Sequence, residues 1–275
     1  MLTYWRLVAL GENRSRKGQS LSLDNVKSKQ AWRWSASRGN CRKLNLSTGG
    51  CAMDGLQAPS VGVQAGRKPH EFGKVIDEIC GLNWKGLPEK DLISIAWAYY
   101  YFSVQFRECL QLARALYPDD TQLLELDRGE RDTDNLSPWP GVAAPGERMN
   151  HDEFMRRTLQ LTPIAENRRR DLTNLGEVYL RKVRAMENDA KAMALASYED
   201  GGLERVFTAI LTARDWSGPL LQAFRHFLAE HIRFDSDPDQ GHGALCRHLE
   251  PDDRVLPLWV DFKNMLVEAA PALAH

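Results

Sequence analysis

Between Pro88 and Pro118 the chain runs without a glycine or a proline. The centre of that run, Ile93-Ser-Ile-Ala-Trp-Ala-Tyr-Tyr-Tyr-Phe-Ser-Val-Gln-Phe106, is apolar nearly all round. A helix of that character cannot lie on a surface, so other helices have to surround it. Pro88 suits the start of a helix, and Glu89 and Asp91 fall in the first turn, where the dipole favours acids. Pro118-Asp-Asp ends it after Tyr117. The aromatic run from Trp97 to Phe102 is first of all core.

The rest of the chain from Lys68 supplies the surrounding helices. Glu71 to Gly81 gives one, with a glycine stop. Thr121 to about Asp132 gives a short one, and residues 132–146, rich in proline and glycine, form a loop. Asn150 is a plausible N-cap with Glu153 at the capping-box position. A long helix is expected over Asn167 to Ala196, then a bend at Tyr198-Glu-Asp-Gly-Gly-Leu, and helix again from Leu203 to Asp215. Pro219 to Phe234 and a last helix capped by Pro251-Asp-Asp complete the set. No period-2 alternation with hairpin turns appears. The expected fold is all-α, a bundle of about seven helices over residues 68–275.

Residues 1–67 read differently. Residues 1–70 hold twelve Lys/Arg against three Asp/Glu, whereas residues 71–275 hold 24 against 34, so a net charge of −1 hides two unlike parts. The leader is Ser-, Gly- and Arg-rich with isolated Trp5, Trp32 and Trp34 and no persistent period. It reads as a disordered basic leader rather than a nucleic-acid-binding segment, and a translation start at Met53 is a further reading. Tyr4 and Arg6 interrupt the opening apolar run, so it does not read as a signal peptide. No apolar run approaches the ~20 residues of a membrane helix. Five scattered cysteines without a C-x-x-C pair argue against a disulfide framework and fit a reducing, cytoplasmic setting.

Chemistry concentrates in Phe227 to Leu245. His231 and Asp235 are four apart and share a helix face, and His242 follows seven later, close to two helical turns, if the helix continues or resumes past Pro238. Two imidazoles and a carboxylate suit iron, manganese or zinc. Upstream, Glu199 interrupts an apolar helix, where a carboxylate needs a partner. His151 begins a helix directly after the long loop. His226 lies about 140° round the helix from His231, and His70, His248 and His275 read as peripheral.

The arrangement His231-x-x-x-Asp235 with a later His242, Glu199 some thirty residues upstream, and a loop leading into His151 resembles the haem-oxygenase-like di-metal oxidase superfamily. That group includes the CADD-like and TenA-like proteins and the iron-containing redox enzymes. The resemblance covers about residues 70–272. It implies a haem-oxygenase-like bundle holding two irons, or manganese, that uses dioxygen to oxidise a small organic substrate. By that analogy His151 and His242 with a carboxylate hold one metal, and Glu199, His231 and Asp235 hold or bridge the other. The aromatics around Trp97 to Phe102 would line an apolar substrate pocket.

Two departures from the family pattern stand out. The final histidine comes seven residues after Asp235 instead of three. The acid expected about ten residues before His151 is missing from Ser137-Pro-Trp-Pro-Gly141, so Glu147, or Asp134 before the loop, has to supply it. The alternatives are a metal-free hydrolase on the same fold with Cys109 or Cys246 as nucleophile, a non-catalytic small-molecule-binding protein, and a haem protein with His151 or His231 as axial ligand. Expected partners are a small-molecule substrate and dioxygen, with no membrane or nucleic acid; a homodimer stays open.

Overall fold

A computed structural model describes residues 70–131, 136, 138–235 and 241–275, and for Phe234 and Asp235 the backbone alone. These residues belong to a compact unit, Val63–His275. The basic leader expected over residues 1–67 lies outside the described residues.

Among the described residues there are ten α-helices and no strand. They are α1 Glu71–Cys80, α2 Glu89–Leu116, α3 Thr121–Gly129, α4 His151–Thr158, α5 Glu166–Arg184, α6 Asn188–Glu199, α7 Gly202–Ile210, α8 Gly218–Asp235, α9 His242–Cys246 and α10 Leu256–Ala269. The only bridge described is an isolated one, Trp139 to Ala143, inside the proline-rich loop. No helix among them is long and apolar enough to cross a membrane.

The apolar segment is the axis of the bundle. Helix α2 packs against α3, α4, α5, α6, α8 and α10. Its Tyr99 ring meets Phe102, Phe207, Phe224 and Phe227, and Phe102 meets Tyr198 and Phe262. Such ring pairs add about 0.5–1.5 kcal/mol each beyond the area they bury. Polar ties fix the helices around this core: Arg168 of α5 donates to Ser94 Oγ of α2 (2.8 Å) and to the Ala269 carbonyl of α10 (2.5 Å).

The count of about seven helices is low for identifiable reasons. The single helix expected over Asn167 to Ala196 is two, α5 and α6, because Glu187 adopts an extended conformation (φ −59°, ψ 141°). The charge order fits this break, with Arg181, Lys182 and Arg184 at the C-terminal end of α5 and Asp189 in the first turn of α6. The apolar period continues across it and conceals it. The expected helix from Leu203 stops at Ile210, and His242 begins a separate short helix, α9. The capping box at α4 does not form. Asn150 makes no side-chain cap bond, and Glu153 accepts instead from Arg156 and Arg157.

Candidate functional site

Five buried side chains from five parts of the bundle meet beside α2. Glu130 follows the end of α3, His151 opens α4, Glu199 ends α6, His231 lies in the last turn of α8 and His242 opens α9. Each is at most 8% exposed. Glu130 Oε2 lies 2.9 Å from His151 Nδ1, and Glu130 Oε1 lies 3.2 Å from His242 Nδ1. Glu199 Oε2 is 3.5 Å from the same His242 nitrogen, and His231 Nε2 is 3.1 Å from His151 Nδ1. The contacts form one chain: His231, His151, Glu130, His242, Glu199.

Local structure explains how each is held. Helix α6 is buried along its whole second half, so its last residue, Glu199, is carried into the interior. Gly201, at φ +88°, then turns the chain into α7, a conformation that suits glycine. His231 Nδ1 lies 2.8 Å from the Phe227 carbonyl one turn back. A carbonyl only accepts, so Nδ1 carries the proton and Nε2 presents its lone pair towards His151. Edge-on and tilted contacts with Phe227 and Phe207 hold the His231 ring.

The two carboxyls are driven apart in acidity. Burial alone would raise Glu130, but the charge and hydrogen bond of His151, with His242 and His231 beyond, outweigh it and hold the carboxyl at about 2. Burial and then repulsion from Glu130 push Glu199 well above the usual carboxylate range. Burial, reinforced by His151, pulls His231 down to about 3, so it is a neutral imidazole near neutral pH.

The sequence-predicted residues divide. His151, Glu199, His231 and His242 are brought together. Asp235 lies in α8 with its side chain outside the description, and Asp134 lies outside the described residues. Glu147 is elsewhere: its Oε1 accepts from Arg157 Nη1 (2.8 Å) and its Oε2 from the Ala144 backbone N–H (3.0 Å), which closes the proline-rich loop. The carboxylate found in the cluster is Glu130, which sequence reasoning missed. A signal existed, since Leu123, Leu126 and Glu130 stand at i, i+3 and i+7, placing an acid on the buried face of α3. Its setting, Arg128-Gly-Glu-Arg131, disguised it as surface. The peripheral histidines are elsewhere too: His226 donates to the Leu136 carbonyl and stacks on Trp139, and His248 pairs with Asp120.

Three imidazoles and two carboxylates are a donor set that suits iron, manganese or zinc. Glu199 Oε2 and His151 Nε2 are buried without a hydrogen-bond partner, an arrangement that is costly unless a proton or cation completes it. The donors touch one another pairwise. Among the described residues, no group of three or more His, Cys, Asp or Glu is disposed around a single ion position. Donor types and burial thus fit a metal, while the side chains have to turn from each other to hold it. No family model, curated protein or solved structure matches this chain.

Proposed function

We propose that the domain is a haem-oxygenase-like bundle and that its buried cluster is a non-haem di-metal centre, with iron or manganese, of an oxidase that uses dioxygen on a small organic substrate. The observation that carries this reading is the convergence of Glu130, His151, Glu199, His231 and His242 in a largely apolar interior. Helix bundles build di-metal sites from inward carboxylates and histidines on facing helices. When bound, two irons would supply the electrons by which dioxygen is reduced.

The chain's own residues prepare for this in three ways. The Phe227 carbonyl fixes the tautomer and direction of His231, leaving Nε2 as a lone-pair donor. Glu130 stays ionised between two histidines, which suits it to bridge or balance two cations. Glu199 takes up a proton readily, so it can hold one where a cation is absent and release it where one is present.

A metal-free binding protein on the same fold is the second reading. It is favoured by the direct pairing of Glu130 with His151 and His242, which already satisfies part of the cluster. Metal analysis of protein expressed with iron, together with optical spectra with and without haem, separates these. Near-stoichiometric iron or manganese, lost in His231→Ala, supports the di-metal reading. Substoichiometric metal, unchanged in His231→Ala, overturns it, and a Soret band on titration points to haem instead.

A further inference from the structure

Helix α9 is five residues long, yet it opens on a cluster histidine and is buried at His242, Gly243 and Cys246. So short a helix is not stable by itself, and its place is set by what it packs on, namely α3, α6 and α8. Those contacts put His242 Nδ1 3.2 Å from Glu130 Oε1 and 3.5 Å from Glu199 Oε2. Glu130 follows α3 and Glu199 ends α6, so α9 meets two helix ends that each carry a cluster acid.

A glycine stands at each of these two contacts. Gly129, the last residue of α3, directly precedes Glu130, and a Cβ there would lie 3.0 Å from His242 Nε2 and 3.7 Å from its Cδ2. Unstrained contacts between carbon atoms run at about 3.5–4.0 Å. The ring has little room to give, because it is 2% exposed and its other nitrogen faces the two carboxyls. Pressure at Nε2 is therefore passed on to the spacing at Nδ1. Gly243, directly after His242, meets α6 instead. A Cβ there would lie 2.8 Å from the Glu199 carbonyl oxygen and 3.3 Å from Asp200 Cα. Both are backbone atoms, which cannot swing aside as a side-chain tip can. Relief would require α9 to withdraw from α6 and take His242 with it.

We propose that Gly129 and Gly243 are positioning residues of the cluster. Their missing side chains seat α9 against α3 and α6, and so set the depth of His242 between Glu130 and Glu199. Gly129 acts on the ring, and Gly243 on the backbone that carries it. The seat requires no metal; only its effect on metal affinity rests on the di-metal reading.

Nuclear magnetic resonance of metal-free full-length protein with isotope-labelled histidine tests the seat. The His242 ring signals, identified by their loss in His242→Ala, should shift in Gly129→Ala and Gly243→Ala. They should stay in place in Gly176→Ala, which overpacks α5 on Tyr101 of α2 instead. Urea denaturation separates the two glycines. Gly129→Ala should lower the unfolding midpoint while His242 is present. In a His242→Ala background it should leave the midpoint unchanged or raise it, because only the helix preference for alanine remains. Gly243→Ala should lower it in both backgrounds, since its clash is with backbone. With manganese added, Gly129→Ala should bind at least about tenfold more weakly, and Gly176→Ala as tightly as the unsubstituted protein. An unsubstituted protein that binds no manganese overturns the di-metal reading and leaves the seat to the first two measurements. Unmoved His242 signals in Gly129→Ala, or an equal loss of stability with and without His242, overturn the seat. If Gly129→Ala does not fold, recovery of folding on adding His242→Ala supports the seat, and continued failure overturns it.

Discussion

Glu130 and His151 stand at opposite ends of the proline-rich loop, yet Glu130 Oε2 lies 2.9 Å from His151 Nδ1 and both side chains are buried. The loop brings the end of α3 back to the start of α4, so an acid and an imidazole from different helices become neighbours. Glu147, much nearer His151 in sequence, is used instead to close the loop against Arg157. On the proposed di-metal reading, Glu130→Gln should weaken iron or manganese binding by at least about 10- to 100-fold, the range found even for outer partners of metal ligands. On the same reading Glu147→Gln should leave metal affinity unchanged, because its carboxylate is held by Arg157 and the Ala144 N–H and not by the cluster. Metal titration of the two variants by calorimetry checks both, and equal losses in the two would remove Glu130 from the site.

Cys109 tests one form of the cysteine-hydrolase alternative, that with Cys109 as the nucleophile. Its thiol is buried against Gln105 and pushed by that burial up to about 12. A thiol is nucleophilic as the thiolate, so Cys109 should resist alkylation in the native protein across the neutral and mildly alkaline range. It should react only on unfolding. Peptide mapping after iodoacetamide treatment at rising pH measures this, and rapid native labelling of Cys109 at neutral pH would contradict it.

The cap that starts α3 also bears on the site, because α3 carries Glu130 at its far end. Asp120 accepts from the backbone N–H groups of Gln122 (2.9 Å) and Leu123 (3.0 Å) and pairs with His248. Partial burial opposes ionisation of Asp120, but the Leu123 bond and His248 prevail and hold its carboxyl below the usual range. A carboxyl lowered on folding stabilises the protein above its unfolded pKa, and that contribution is lost as the pH falls through the folded value. Asp120→Ala should cost about 0.5–2 kcal/mol at neutral pH, as lost N-caps do, and the difference from the unsubstituted protein should shrink in acid. Urea denaturation at neutral and acid pH tests both the size and the sign.

The parts of this fold legible in the sequence are those where pattern and environment agree. Helix α2 announces itself because it is apolar all round and bounded by prolines. Glu199 stands out because a carboxylate interrupts an apolar helix, and His231 because of its spacing from Asp235 and His242. Glu130 did not, since Arg128 and Arg131 flank it and its burial depends on how the loop returns, a tertiary fact. The division between α5 and α6 was hidden for a similar reason. The three-to-four-residue apolar spacing runs from Leu180 and Val183 through Met186 to Ala190, so periodicity crosses the break and only the extended Glu187 reveals it.

The close packing of α5 on α2 gives a prediction whose sign is set by competition between two effects. Gly176 lies inside α5, where replacement by alanine ordinarily gains about 1 kcal/mol from helix propensity. A Cβ there would fall 2.1 Å from Tyr101 Cδ2, well inside contact distance, with other ring atoms nearly as near. The Tyr101 ring is itself buried in α2 and has little room to withdraw. Overpacking of this kind costs about 1–3 kcal/mol or more, so the clash should win and Gly176→Ala should destabilise the protein. Removing the ring should reverse the balance: in a Tyr101→Ala background the same substitution should be neutral or stabilising, a coupling that a double-mutant cycle isolates. Chemical denaturation of the four proteins in that cycle decides the matter, and a stabilising Gly176→Ala with Tyr101 in place would show that α5 and α2 lie farther apart.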